Sequence, residues 1–178
     1  TFLYNHGSMY RKFNGNLLFH GCVPLDEDGN LKALHFGGRI YQGKSYMDYA
    51  DSIARRAYFS DDRTQKELDF MWYLWCGAKS PVFGKDKMTT FEHYFVADKT
   101  THRERLNPYY KLSQQEEVCD RILQEFGLSG GGSHIINGRV PVKIKDGEMP
   151  VKANGKLFAI DGGLSKAYQK YTGIAGYT

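Results

Sequence analysis

Two short motifs in this sequence place a chemically capable side chain just past an apolar run and beside a glycine. In Leu17-Leu18-Phe19-His20-Gly21 that side chain is an imidazole, and in His134-Ile135-Ile136-Asn137-Gly138-Arg139 it is a guanidinium. A strand that ends at glycine delivers the neighbouring side chain into a loop, where the backbone can bend and small ligands can approach. An imidazole in that place suits a divalent metal, and it equally suits a hydrogen-bonded structural role. Arg139 stays charged and has no lone pair, so it cannot ligate a metal. A phosphate clamp, a lost ligand and a basic loop are its three readings.

Other polar residues carry weaker signals. His134 opens an apolar run and reads as a paired structural histidine, His6 sits in a turn and fits either role, and His35, His93 and His102 suggest nothing specific. No HxxxH, CxxC or nucleophile-elbow pattern occurs, which argues against a zincin or a serine hydrolase. Lys85 and Lys87 lie in a glycine-containing loop ahead of an expected helix, where cations and free N–H groups together favour phosphate. Between His134 and Lys156, five cations (Arg139, Lys143, Lys145, Lys152 and Lys156) stand against Asp146 and Glu148. On a hairpin that alternation is first a solvated face and only second a phosphate site.

The elements that must position these groups follow from periodicity and turn chemistry. A turn at Asn14-Gly15 precedes a strand from Asn16 to Phe19, and "LKALHF", Leu31 to Phe36, reads as a further short strand. Ser45 is expected to cap a helix from Tyr46 to about Phe59, with Tyr46, Ala50, Ile53 and Ala57 on one face. Lys66 to Cys76 is apolar nearly all round and predicts a buried helix with Phe70, Met71, Leu74 and Trp75 in the core. Thr89-x-x-Glu92 and Ser113-x-x-Glu116 read as capping boxes. Val118, Ile122 and Phe126 form the apolar stripe of the second helix, which Gly127 stops. Hairpin-like strands are expected from Pro141 to Ile160, then Asp161-Gly162-Gly163 and a last helix from Ser165.

Composition bounds the class. With 178 residues, 41% hydrophobic and 15% aromatic, the chain can bury a core and is read as one domain of α/β or α+β type. A net charge of +4 with dispersed cations gives no charge stripe for nucleic acid. No run approaches the ~20 apolar residues of a membrane span. Cys22, Cys76 and Cys119 are odd in number and read as reduced core thiols of a cytosolic protein. The chain opens without Met, and a piece of a longer protein is expected.

Five segments together resemble a known family: "YNHGSMYRKFNGNLLFHGCVPLDEDG", "LDFMWYLWCGAKSPVFGKDKMTTFEHYF", "NPYYKL", "HIINGRVPVK" and "PVKANGKLFAIDGGLSKAYQKYTGIAGYT". They resemble the class III fructose-1,6-bisphosphatases of bacteria, in the same order through essentially the whole chain. The resemblance implies an α/β fold, part of a calcineurin-like metallophosphoesterase β-sandwich flanked by helices. Residues 1–178 would be a single domain from the C-terminal part of that catalytic domain, with a helical insertion at about 45–127. It also implies hydrolysis of fructose 1,6-bisphosphate to fructose 6-phosphate and phosphate at a two-metal site, manganese or magnesium, in a cytoplasmic enzyme. A homo-oligomer is compatible with that reading.

By the same resemblance His20 inherits a metal-ligand role. Arg139 occupies a position where the family usually has a ligating histidine, while Asn137, Gly138, Pro141, Val142 and Lys143 match. The family's Asp-x-His, Gly-Asp-x-x-Asp and Gly-Asn-His segments come earlier in its enzymes and are absent from this sequence. Either this copy is impaired, or His134 takes over, or Arg139 binds substrate phosphate directly. Lys85, Lys87, Arg139, Lys143 and Lys152 are the substrate-binding candidates. The competing expectation is a folded, non-catalytic fragment serving as an assembly or regulatory surface.

Overall fold

Asn14 and Gly15 both hold positive φ, 49° and 75°, the backbone of a tight hairpin turn, and the chain doubles back there as expected. The structure, a computed structural model, describes residues 1–161 and 166–173. In chain order its elements are α1 (Phe2–His6), β1 (Tyr10–Phe13), β2 (Asn16–Phe19), β3 (Leu34–Phe36), β4 (Arg39–Tyr41), α2 (Gly43–Phe59) and α3 (Gln65–Cys76). There follow α4 (Thr90–Phe95), α5 (Tyr109–Leu112), α6 (Glu116–Glu125), β5 (Ile135–Asn137), β6 (Val151–Lys152), β7 (Leu157–Ala159) and α7 (Lys166–Thr172).

The fold is mixed α/β. Five strands make one sheet in the order β1-β2-β5-β7-β6, and β3 and β4 pair separately. β1 and β6 run antiparallel to their neighbours, while β2, β5 and β7 are parallel to one another. Parallel neighbours need long crossovers. Here the crossover from β2 to β5 carries α2 through α6, so residues distant in sequence arrive at one sheet edge.

Alternation in these strands decides what is buried. Leu17, Phe19, Ile135 and Leu157 face Val118, Cys119, Ile122, Leu123 and Phe126, and Tyr109 of α5 joins the same core. The stripe predicted for α6 is the one observed. A second cluster unites Leu34 with Tyr46, Ala50 and Ala54 of α2 and with Phe70 and Leu74 of α3.

Helix boundaries depart from the sequence expectation where tertiary partners intervene. α2 begins at Gly43, two residues before the expected cap, because the Glu125 carboxylate accepts the Lys44 N–H at 3.0 Å. Ser45 instead accepts the Gln42 N–H at 3.0 Å, and Ile53 is only half-buried while Ala54 is buried. Thr89 makes no cap bond, since its hydroxyl donates to the His102 carbonyl and the Glu104 carboxylate, both at 3.1 Å. α6 is preceded by Gln115, and Ser113 is buried one turn earlier, so the expected box does not form there either. Capping boxes form instead between Gln42 and Ser45 at α2 and between Thr64 and Glu67 at α3.

The expectation of a fully buried α3 is corrected. Phe70 and Leu74 are buried and Met71 is half-buried, but Trp75 is 56% exposed and Trp72 65% exposed. A helix presents one face to one neighbour; α2 covers the Phe70–Leu74 face, and the two indoles meet each other edge-to-face on the outside with centroids 4.8 Å apart. Cys76 is likewise half-buried, not a core thiol as expected for all three cysteines; Cys22 and Cys119 are buried.

The tail is less hairpin-like than expected. Between Pro141 and Ile160 only β6 and β7 are extended, and 3₁₀ turns occupy Ile144–Asp146 and Ala153–Gly155. Lys156 is buried and paired with Asp120 at 3.0 Å, so it leaves the supposed solvated face. α7 occupies the place of the predicted last helix, and its expected start at Ser165 lies outside the described residues.

Candidate functional site

The register Phe19↔Asn137↔Ala159 aligns the C-terminal ends of the three parallel strands. The next residues are His20 after β2, Gly138-Arg139 after β5 and Ile160-Asp161 after β7. Backbone bonds hold the three tips together: Gly138 N–H to His20 O at 3.2 Å, Ile160 N–H to Asn137 O at 2.8 Å, and Val142 N–H to Asp161 O at 2.8 Å. Asn137 is buried and its side-chain amide donates to Gly21 O at 3.1 Å, a cross-strand pin between the two motifs.

Gly21 is there for proximity. A Cβ on it would lie 2.1 Å from Pro81 O and 2.8 Å from Val82 O, far inside any real contact. The Cys22 N–H bonds that same Pro81 carbonyl at 2.8 Å, drawing the loop against the β2 tip. Ser80 shapes the loop: it is buried, and its hydroxyl oxygen accepts the Val82 and Phe83 N–H groups at 3.2 and 3.1 Å. The consequence is the position of Phe83, over whose ring the Arg139 guanidinium sits at 5.9 Å, with the Lys85 ammonium also 5.9 Å from the centroid. Cations over an aromatic face gain from its quadrupole.

His20 and residue 139 therefore share one sheet edge, as their motifs predict. His20 is exposed at the β2 tip, yet the desolvation its ring does undergo pushes the imidazole below its ordinary value, the Arg139 charge pushes it further down, and Asp161 acts in the opposite direction. The net direction favours the neutral imidazole, which keeps a lone pair available. Arg139 is half-buried and makes no ion pair or side-chain hydrogen bond among the described residues. His134 is at the other end of β5, roughly 10 Å or more from the tip at ~3.3 Å per residue. Its Nδ1 is bound to Gly155 O at 2.8 Å and its ring packs on Phe158. It is the structural histidine the sequence suggested, and its placement does not suit it to replace a ligand at position 139.

The lysines separate into two groups. Lys85 is paired with Glu104 at 2.5 Å, and the Lys87 ammonium donates to Thr101 O at 2.9 Å. Lys143 is exposed after the β5 tip, and Lys152 lines a cleft beside it. Sequence reasoning missed Phe83, whose ring lies under Arg139, and Tyr110, which is near enough to feel the Arg139 charge. It also missed Asp161, although that residue follows an apolar strand and precedes two glycines, the very signal used for His20 and Arg139.

The donors present do not by themselves fit a two-metal centre. Among the described residues no group of three or more His, Cys, Asp or Glu is placed to hold a metal ion. The strand tips bring together one imidazole and one carboxylate, with a fixed cation beside them. No helix among the described residues is long and apolar enough to cross a membrane.

Comparison with known proteins extends over the whole chain. A family model described as Firmicute fructose-1,6-bisphosphatase matches residues 1–178. Fructose-1,6-bisphosphatase class 3 1 of Clostridium beijerinckii is 56% identical over 179 residues, covering 99% of this chain. The class 3 fructose-1,6-bisphosphatases of two Clostridium botulinum strains, Langeland and Okra, are each 57% identical over 180 residues. The chain spans 27% of the length of these curated relatives. No solved structure matches it.

Proposed function

The chain belongs to the Firmicute fructose-1,6-bisphosphatase family, and from that premise we propose that it forms the phosphate-facing part of a phosphatase that hydrolyses fructose 1,6-bisphosphate to fructose 6-phosphate and phosphate. The observation that carries the reading is the convergence of His20, Arg139 and Asp161 at the ends of three parallel strands. Loops at the carboxyl ends of parallel strands are where α/β folds bind ligands. Arg139 can fork two phosphate oxygens and offset the charge that grows as the ester bond breaks. His20, in its neutral form, can accept a proton or donate its lone pair.

In this reading His20 contributes an imidazole to a divalent centre of the manganese or magnesium type, whose further ligands come from polypeptide outside these 178 residues. The residues present do not complete that centre. The parent fold would be a calcineurin-like metallophosphoesterase sandwich, with this sheet as one layer, working in the cytoplasm, where the free thiols Cys22, Cys76 and Cys119 would persist. Lys143 joins Arg139 as a phosphate contact; Lys85 and Lys87 act at one remove, through their salt bridge and loop.

A chimera tests the proposal: this chain replaces the matching 179 residues of the Clostridium beijerinckii relative, and phosphate release from fructose 1,6-bisphosphate is measured. Turnover supports the reading, and Arg139→Met in the chimera should lower it about tenfold, or ~1.4 kcal/mol in the barrier. A folded but inactive chimera would instead favour the second reading, a non-catalytic folded module. That reading draws on the incomplete donor set.

A further inference from the structure

Beside the strand tips, on the sheet face that carries α5 and α6, lies a cleft of about 590 Å³, a volume usual for small-molecule sites. Its floor includes Asn137, Leu157 and Ala159, and Val140 and Pro141, which directly follow Arg139, form one end. The cleft is thus continuous with the loop that presents the guanidinium.

The charges along this cleft are unequal in their commitments. Arg105 is closed onto Asp86 at 3.1 Å, and Glu148 accepts the Lys143 N–H at 3.0 Å. Lys111 and Lys152, by contrast, line the cleft and make no ion pair or side-chain hydrogen bond among the described residues. Asn107 spends its carbonyl oxygen on the Leu25 and Tyr109 N–H groups, at 3.2 and 3.0 Å, which leaves its amide donors. Gln114 and Glu27 add an amide and a carboxylate. Two free ammonium groups suit a phosphate. Amides and a carboxylate suit the alternating donors and acceptors of sugar hydroxyls.

We propose that this cleft is a sugar-phosphate pocket, in which Lys111 and Lys152 hold a phosphate and Asn107, Gln114 and Glu27 bind sugar hydroxyls. The proposal rests on the phosphatase reading in one respect: the strand tips take the phosphate that is cleaved, and the cleft takes the other end of the molecule. It also accounts for Lys152 as a ligand-binding residue while leaving Lys85 and Lys87, whose ammonium groups are already engaged, outside the pocket.

Fructose 6-phosphate is the discriminating probe because it lacks the phosphate assigned to the tips. It is titrated calorimetrically into this 178-residue chain and into three variants: Lys111→Met/Lys152→Met, His20→Ala and Arg139→Met, each checked for an unchanged melting curve. The expected result is binding that weakens at least about tenfold in the double variant, stays within about twofold in His20→Ala, and far exceeds that of unphosphorylated fructose. Binding lost in Arg139→Met but kept in the double variant would overturn the cleft assignment and leave the tips as a phosphate site. No binding at millimolar ligand would also overturn it. Binding that follows the lysines while the chimera releases no phosphate would keep the pocket and remove the phosphatase reading.

Discussion

Replacing Gly21 by alanine adds one methyl group at the point where two motifs and a loop meet. The new Cβ would stand 2.1 Å from the Pro81 carbonyl oxygen, more than an ångström inside contact distance. The obstruction is backbone, so no rotamer change relieves it. If the loop retreats, it stretches the 2.8 Å bond from Cys22 N–H to Pro81 O; if the β2 tip retreats, it strains the Asn137 bond to Gly21 O. Overpacking of this kind costs about 1–3 kcal/mol, and a weakened internal hydrogen bond adds about 1 kcal/mol, so Gly21→Ala is expected to cost about 3 kcal/mol. Gly138 is the internal control: its Cβ would meet the Ile160 side chain at 3.2 Å, a flexible neighbour that can move, and Gly138→Ala should cost about 1 kcal/mol or less. Urea unfolding followed by circular dichroism measures both. At a slope of about 2 kcal/mol per molar urea, the midpoints should fall by about 1.5 M and 0.5 M or less. Equal shifts, or a Gly21→Ala shift below about 0.5 M, would refute the close approach of the Pro81 loop to the β2 tip.

Three further outcomes follow from the packing and the charges. Phe70→Ala should cost about 3–5 kcal/mol, whereas Trp75→Ala should cost about 1 kcal/mol, mainly its edge-to-face contact with Trp72; chemical denaturation of the two variants compares them. Thr64→Ala removes the cap that accepts the Glu67 N–H and should lower stability by about 1 kcal/mol in the same assay. The folded His20 binds its proton at lower pH than the unfolded chain does. Between those two values the unfolded state holds more protons, so the stability this residue contributes is complete above about pH 6.5 and is lost as pH falls through the folded value. His20→Gln should flatten that part of the pH–stability curve, and Arg139→Met should move the His20 NMR titration upward; a downward shift would contradict their proximity.

The strand tips were legible because each reads as an apolar run followed by glycine, and a register of parallel neighbours turns that local signal into a shared edge. Faces and partners were not legible in the same way. Thr64-x-x-Glu67, Thr89-x-x-Glu92 and Ser113-x-x-Glu116 share one pattern, yet only the first becomes a capping box. At Thr89 the hydroxyl is taken by His102 O and Glu104, 13 and 15 residues away, which no local window contains. The outward indoles of α3 and the engaged state of Lys85 have the same origin, since a contact across the β2–β5 crossover leaves no periodic trace.

Arg139 shows how far such a motif can be taken. Its place at the tip follows from the sequence; its state follows from the fold. A buried or half-buried guanidinium normally acquires a carboxylate, because desolvation without a partner is costly. Here the described surroundings offer an aromatic face, Phe83, an imidazole, His20, and the Asp161 carboxylate at the neighbouring β7 tip. The ring lowers the cost of the charge without consuming a hydrogen-bond donor. A guanidinium carries five N–H donors, more than one neighbouring carboxylate engages. In the reading proposed above, Arg139 can therefore still fork two oxygens of an incoming phosphate.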